Sequence, residues 1–174
     1  MITTKLQNYR VENIKDKLKR IKLFAMDVDG TLTDGSMYYS AEGEALKKFS
    51  AYDGMGITLL HKYGIQTAFI TSKDSKIAKK RAEVLNVQHI YIGCWEKDVA
   101  LKEISQKMNI STDEIAYIGD DVNDLEALKL AGFSAVPANA IEPLKKVVDY
   151  VCNSKGGEGA VREICEMILD VREL

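Results

Sequence analysis

Short apolar runs that stop abruptly at acids, hydroxyls or glycine recur along the chain, separated by polar stretches with helical spacing. The run Ile21–Met26 ends at Asp27-Val28-Asp29-Gly30. Apart from Lys22 the run is apolar, which reads as a strand buried on both faces, its carboxyl end delivering Asp27 and Asp29. Gly64–Ser72 repeats the pattern and closes on Thr71 and Ser72; His89–Gly93 makes a third run, and Glu114–Asp121 a fourth that ends at Asp120 and Asp121. Phe133–Pro137 is a fifth strand and Asp149–Cys152 a short sixth. Between them, helical spacing covers Met55–Tyr63, Ser75–Leu85, Asp98–Met108 and Val122–Leu130. Val11, Ile14 and Leu18 predict a leading helix over Val11–Arg20, and Ser111 with Glu114 matches a capping box.

Strand and helix alternate, so the expected fold is α/β, a Rossmann-like doubly wound parallel sheet. One stretch departs from the alternation. Ser36–Ser40 and Ala45–Ser50 read as two short strands joined by a turn at Ala41–Glu44, a β-hairpin inserted after the first strand. With 174 residues, the chain is expected to form a single domain over 1–174, the hairpin spanning about 36–50, with no separate cap domain.

Composition narrows the classes. Apolar residues make up 46% and charged residues 29%, with a net charge of −2 and no basic stripe, which argues against a nucleic-acid partner. Three cysteines without CxxC spacing argue against a disulfide framework or a zinc site. Met1–Arg20 lacks a signal-peptide core and no run is long enough to span a membrane, so the expected location is cytoplasmic.

In an open parallel sheet, ligands bind beyond the carboxyl ends of the strands. Asp27, Asp29, Thr71, Lys97 and Asp120 come from four successive strand-to-helix connections and therefore face one mouth. Taken singly, each has a plain alternative: an acidic turn, a helix cap, a solvated lysine. Taken together they form complementary chemistry. Carboxylates from two strands can hold Mg²⁺, which prefers oxygen ligands, and a hydroxyl and an ammonium beside it suit a phosphoryl group.

These residues carry a resemblance. Asp27–Thr31, DVDGT, resembles the DxDGT signature of the haloacid dehalogenase superfamily, and Gly119–Asp124, GDDVND, resembles its acidic GDxxxD motif; Thr71 and Lys97 match the motifs between in order and spacing. The resemblance implies that Asp27 attacks phosphorus to form an aspartyl-phosphate and that Asp29 serves as general acid and then base. It also implies that Asp27, the Asp29 carbonyl and Asp120 hold Mg²⁺, that Thr71 and Lys97 bind the phosphoryl group, and that Asp121 and Asp124 support the site from behind. A carboxylate nucleophile splits hydrolysis into two displacements, and cations must cancel its repulsion from an anionic phosphate.

Thr31–Gly35 (TLTDG), the hairpin with KKFS, Asp53–Ile57 (DGMGI) and Gly156–Cys165 (GGEGAVREIC) further resemble the capless 3-deoxy-D-manno-octulosonate 8-phosphate phosphatase family, from about Ile21 to Leu169. That implies a phosphorylated sugar acid as substrate, an octulosonate or a related nonulosonate phosphate, and a homotetramer in which hairpins meet centrally. Family members usually carry Gly-Arg after the threonine, whereas this chain has Ser72-Lys73. Lys73 keeps the charge but not the planar fork that pairs bidentately with a carboxylate. The Lys155–Arg162 segment is either a flexible glycine turn or a tail bringing Lys155 or Arg162 to a neighbour's substrate. Tyr38, Tyr39 and Phe49 are read as a subunit interface, His61 and His89 as satisfied or surface residues, and Cys94 and Trp95 as wall residues beside Lys97. Two other classes compete: a phospho-acceptor signalling module and a non-catalytic assembly module. In receiver domains the acidic pair precedes the phosphorylated Asp and Lys comes last; the order Asp27, Thr71, Lys97, Asp120 differs.

Overall fold

The structure, a computed structural model, describes residues 12–173. Helix α1 covers 12–20; Ile14 and Leu18 pack inward as their spacing implies, while Val11 lies outside the described residues. Six parallel strands follow: β1 (Leu23–Met26), β4 (Gln66–Thr71), β5 (His89–Ile92), β6 (Ile115–Ile118), β7 (Phe133–Val136) and β8 (Tyr150–Val151), in the order β5-β4-β1-β6-β7-β8. The hairpin strands β2 (Tyr38–Ser40) and β3 (Gly43–Leu46) form a separate antiparallel pair. Helices α2 (Ala51–Lys62), α3 (Lys76–Val84), α4 (Lys97–Met108), α5 (Leu125–Leu130), α6 (Glu142–Lys145) and α7 (Ala160–Asp170) complete a doubly wound α/β fold, with no separate cap among the described residues.

Two-residue periodicity divides the core. On one face of the sheet, Phe24, Met26, Phe69, Ala116 and Ile118 meet α1, α2, α3 and α7; on the other, Leu23, Ala25, Ala68, Ile70, Ile115 and Tyr117 meet α4, α5 and α6. Both faces of β1 are covered, which is why its sequence shows no polar alternation. With β4 on one side of β1 and β6 on the other, the chain reverses direction across the sheet at β1. A crevice opens at such a switch point, beyond the carboxyl ends of the strands. Among the described residues, no helix is long and apolar enough to cross a membrane.

Several boundaries differ from the periodic reading. Helix α2 begins four residues before Met55, because Ser50 caps it by accepting from the Tyr52 and Asp53 N–H groups. Gly54 and Gly56 mask the helical pattern there. A Cβ on Gly56 would lie 3.0 Å from Cys165 Sγ, so glycine is what lets α2 and α7 pack closely. The stretch Val122–Leu130 splits into a 3₁₀ turn, Val122–Asp124, and α5. The hairpin strands are shorter than expected: Gly43 and Glu44 belong to β3, Ala41 and Glu42 make the turn, and Lys47–Ser50 leaves the ladder. Phe49 accordingly packs against the core, the Arg81 guanidinium over its ring, and is not part of the hairpin's aromatic surface. The Ser111–Glu114 capping box is present. His61 and His89 are satisfied by Thr67 (2.7 Å) and Gln66 (2.8 Å).

Candidate active site

Asp27 follows the last residue of β1, its N–H bonded to the Ile118 carbonyl of β6 at 3.0 Å. Like Leu23 and Ala25, it points to the sheet face that α4 covers, and it is 4% exposed. Lys97 opens α4 on that face. Its ammonium, fully dehydrated, donates to Asp27 Oδ1 and Asp124 Oδ1, each at 2.6 Å. A buried lysine persists only when paired in this way. Burial works against its charge, but Asp27 and Asp124 outweigh that and hold its pKa above the ordinary lysine value. Asp27 is pushed well above the usual carboxylate range by burial and by the Asp124 charge, with Lys97 opposing.

Asp124 is saturated from within the protein. Its Oδ1 also accepts from Tyr117 at 2.6 Å, and its Oδ2 accepts from the backbone of Asp120 (2.9 Å) and Asp121 (3.2 Å). It thus serves the loop after β6 rather than a ligand. Asp121 itself is exposed and caps the Val122 N–H at 2.7 Å. Asp120 turns towards Asp27 and accepts from the Thr31 hydroxyl at 3.1 Å. Burial first, and then the Asp124 charge, lift its pKa to about 7. Asp27, Asp120 and Asp124 present oxygens within 4.8 Å of one another, a hard-oxygen donor set that fits Mg²⁺; with Asp124 already saturated, Asp27 and Asp120 are the carboxylates free to bind it.

Gly30 makes this approach possible. Its φ is +87°, and a Cβ there would lie 2.1 Å from Asp120 Oδ2. The loop after β1 is held from behind: Thr33 Oγ1 accepts from Gly30 and Gly35 N–H (3.2 Å each), Asn139 Nδ2 donates to the Gly30 carbonyl (3.3 Å), and Gly157 N–H to the Thr31 carbonyl (3.0 Å). Gly156 donates to Asn139 Oδ1 at 2.7 Å. Gly156 and Gly157 are buried against this loop, so the glycine turn packs behind the site and supports it.

A cavity of about 270 Å³ opens over these groups, lined by Asp27, Asp29, Thr71, Lys73, Asp120 and Asp121, with Gly35 and Met37 from the hairpin side. Five strand-end residues named from the sequence, with Lys97 beneath them, therefore converge. Lys73 lines the cavity but is engaged by the hairpin: its ammonium meets the Tyr39 hydroxyl at 2.5 Å, Met37 Sδ at 3.2 Å and Glu44 at 3.5 Å. Arg162 is elsewhere. It bonds Glu166 at 2.7 Å and lines a separate groove with Tyr52, Met55 and Glu163. Cys94 and Trp95 line a different groove beside α4, not this cavity.

Sequence reasoning missed three residues. Tyr117 is hidden in an apolar strand, and Asn139 lies in a loop without a motif. Lys47 was read as a strand residue, yet its dehydrated ammonium pairs with the Asp29 carboxylate and, at 2.9 Å, with Glu44. The KKFS string was visible, but not which lysine turns inward.

A doubly wound parallel sheet with a buried aspartate–lysine pair and clustered carboxylates at the carboxyl ends of its central strands belongs to the class of α/β hydrolytic folds suited to anionic, metal-assisted chemistry. The comparisons agree. A family model described as haloacid dehalogenase-like hydrolase matches residues 77–164. The 3-deoxy-D-manno-octulosonate 8-phosphate phosphatase of Haemophilus influenzae is 39% identical, over 91% of this chain and 88% of that protein. Its cobalt-bound structure superposes with a TM-score of 0.88, covering 90% of this chain and 92% of that one. The Moraxella catarrhalis phosphatase of the same name, solved with magnesium, phosphate and a KDO molecule, is 44% identical with a TM-score of 0.88, covering 91% of each chain. This chain belongs to the haloacid dehalogenase-like hydrolases and, within them, to the 3-deoxy-D-manno-octulosonate 8-phosphate phosphatase family.

Proposed function

We propose that this protein is a Mg²⁺-dependent phosphatase that hydrolyses 3-deoxy-D-manno-octulosonate 8-phosphate, or a related nonulosonate 9-phosphate, through an aspartyl-phosphate on Asp27. The observation that carries the chemistry is the Asp27–Lys97–Asp124 line. A carboxylate free to attack at one oxygen is held by an ammonium that is itself locked from behind. The substrate class rests on the similarity to the Haemophilus and Moraxella phosphatases.

Asp27 attacks phosphorus while Lys97 and Thr71 bind the phosphoryl oxygens, so the developing charge meets groups already oriented. Asp29 gives a proton to the leaving sugar oxygen, then takes one from the water that cleaves the aspartyl-phosphate. Asp27, Asp120 and the Asp29 carbonyl would hold Mg²⁺, which when bound neutralises phosphate charge. Lys73, with Asp121 at the rim, belongs to the substrate side of the cavity; Arg162 would reach substrate only in a neighbouring subunit's site. Phosphate release across octulosonate, nonulosonate and simple sugar phosphates tests this reading. Turnover of simple esters alone would overturn the substrate class, and no turnover of any would overturn the activity.

We also read the assembly as a cytoplasmic homotetramer. Tyr38 and Leu46 face each other across the hairpin and are 41% and 50% exposed, with Met37 and Tyr39 beside them. Apolar exposure on so small an insertion favours association. Replacing Tyr38 and Leu46 by aspartate should yield smaller species in sedimentation velocity; a monomeric wild type would refute the assembly.

A further inference from the structure

We infer that Lys47, from the end of the hairpin, is a positioning residue for the proton transfers of Asp29; this rests on the phosphatase reading above. Among the described residues, Lys47 is the one side chain recorded in a hydrogen bond with Asp29, and it bonds a single oxygen, Oδ1. An ammonium donates and cannot accept, so the proton that Asp29 carries is directed to Oδ2. The carboxyl group is thereby turned with one oxygen tethered to the hairpin and the other left for the leaving oxygen or water.

The surroundings fit this task better than a surface latch. The Lys47 side chain is 1% exposed, and dehydrating an ammonium is costly unless partners replace its water. A pair that merely fastened the hairpin could remain in solvent. Glu44, at 2.9 Å, supplies the second partner of the dehydrated lysine, and it shares that carboxylate with Lys73 at 3.5 Å. Glu44 is in turn held by the Ser75 hydroxyl at 2.5 Å, the N-cap of α3 just past the Thr71 loop. A continuous line thus runs from the phosphate-side loop through Ser75, Glu44 and Lys47 to Asp29. The hairpin belongs to the acid–base machinery of its own subunit as well as carrying the exposed apolar surface.

The step concerned is defined. As the bond from Asp27 to phosphorus forms and the bond from phosphorus to the sugar oxygen breaks, the Asp29 proton passes to that oxygen and leaves as the alcohol. An alkoxide leaving group needs this proton, whereas p-nitrophenolate departs without it. The test therefore compares kcat/KM, which reports the steps up to the aspartyl-phosphate, for the sugar-acid phosphate and for p-nitrophenyl phosphate at saturating Mg²⁺. Lys47→Met should lose about 10²-fold on the sugar-acid phosphate and stay within about 3-fold on the aryl ester, the scale of a misplaced general acid. Lys47→Arg, which can still donate to Oδ1, should recover much of the loss. Asp29→Asn serves as the reference. If Asp29→Asn is selective for the alkyl ester and Lys47→Met slows both esters equally, or neither, the inference fails and the Asp29 role stands. If Asp29→Asn shows no selectivity, the acid–base reading falls and the inference with it. The aryl-ester rate doubles as the control for folding.

Discussion

At the scale of single residues, the site is built by making each buried charge answer to another. Lys97 answers Asp27 and Asp124; Asp124 answers Tyr117 and two backbone N–H groups. Asp27→Asn keeps shape but removes the proposed nucleophile, and kcat should fall by at least about 10³-fold, measured as phosphate release with the fold checked by circular dichroism. Gly30→Ala is a second residue-scale case. Its methyl would strike Asp120 Oδ2 from a backbone at φ +87°, so Asp120 must swing away. Mg²⁺ affinity by calorimetry should drop by more than about 10-fold, as expected when a ligand's orientation is lost.

At the scale of elements, the loop between β1 and the hairpin is supported from the opposite end of the chain. The turn Gly156–Gly159 reaches it through Gly157 N–H to Thr31 O, and a Cβ on Gly156 would lie 1.9 Å from the Gly30 carbonyl. Asp53 on α2 fixes where that turn continues, its buried carboxylate accepting from the Arg162 N–H at 2.8 Å at the start of α7. Gly156→Ala should therefore displace the loop and lower kcat by about 10²-fold, the cost of an ångström-scale misplacement, in protein that still folds. Unchanged kinetics would show that the turn is only a connector.

For the whole molecule, the acidic crevice links proton, metal and stability. Asp120 has a folded-state pKa of about 7 against an ordinary value of 3.8. Its neutral form is favoured in the folded state, so its stabilising contribution is fully present below pH 3.8. That contribution is lost as pH rises through about 7, where the group must ionise inside the site. Metal-free protein should feel this as a falling contribution across that window. Mg²⁺ binds the ionised form, so the Tm gain on adding Mg²⁺ should grow from pH 5.5 to pH 8, read by scanning fluorimetry ± chelator. A pH-independent gain would mean that Asp120 does not titrate with metal binding.

The sequence by itself determined the sheet and the ends that carry chemistry. Doubly covered parallel strands are continuous apolar runs, so β1, β4 and β6 were legible, and with them Asp27, Thr71 and Asp120 at their carboxyl ends. The resemblance of DVDGT and GDDVND to family motifs added roles to those positions. Tertiary structure decided what depends on which side chains turn inward from irregular backbone. Lys47 became a partner of Asp29 only because β3 ends at Leu46 and the following residues leave the ladder. Phe49 joined the core for the same reason. Tyr117 and Asn139 became supports of Asp124 and Gly30 through contacts 7 and 109 residues away. Periodicity reports which face a residue shares within its own element. It carries no information on which distant element will meet that face, because that is decided by packing of the whole chain.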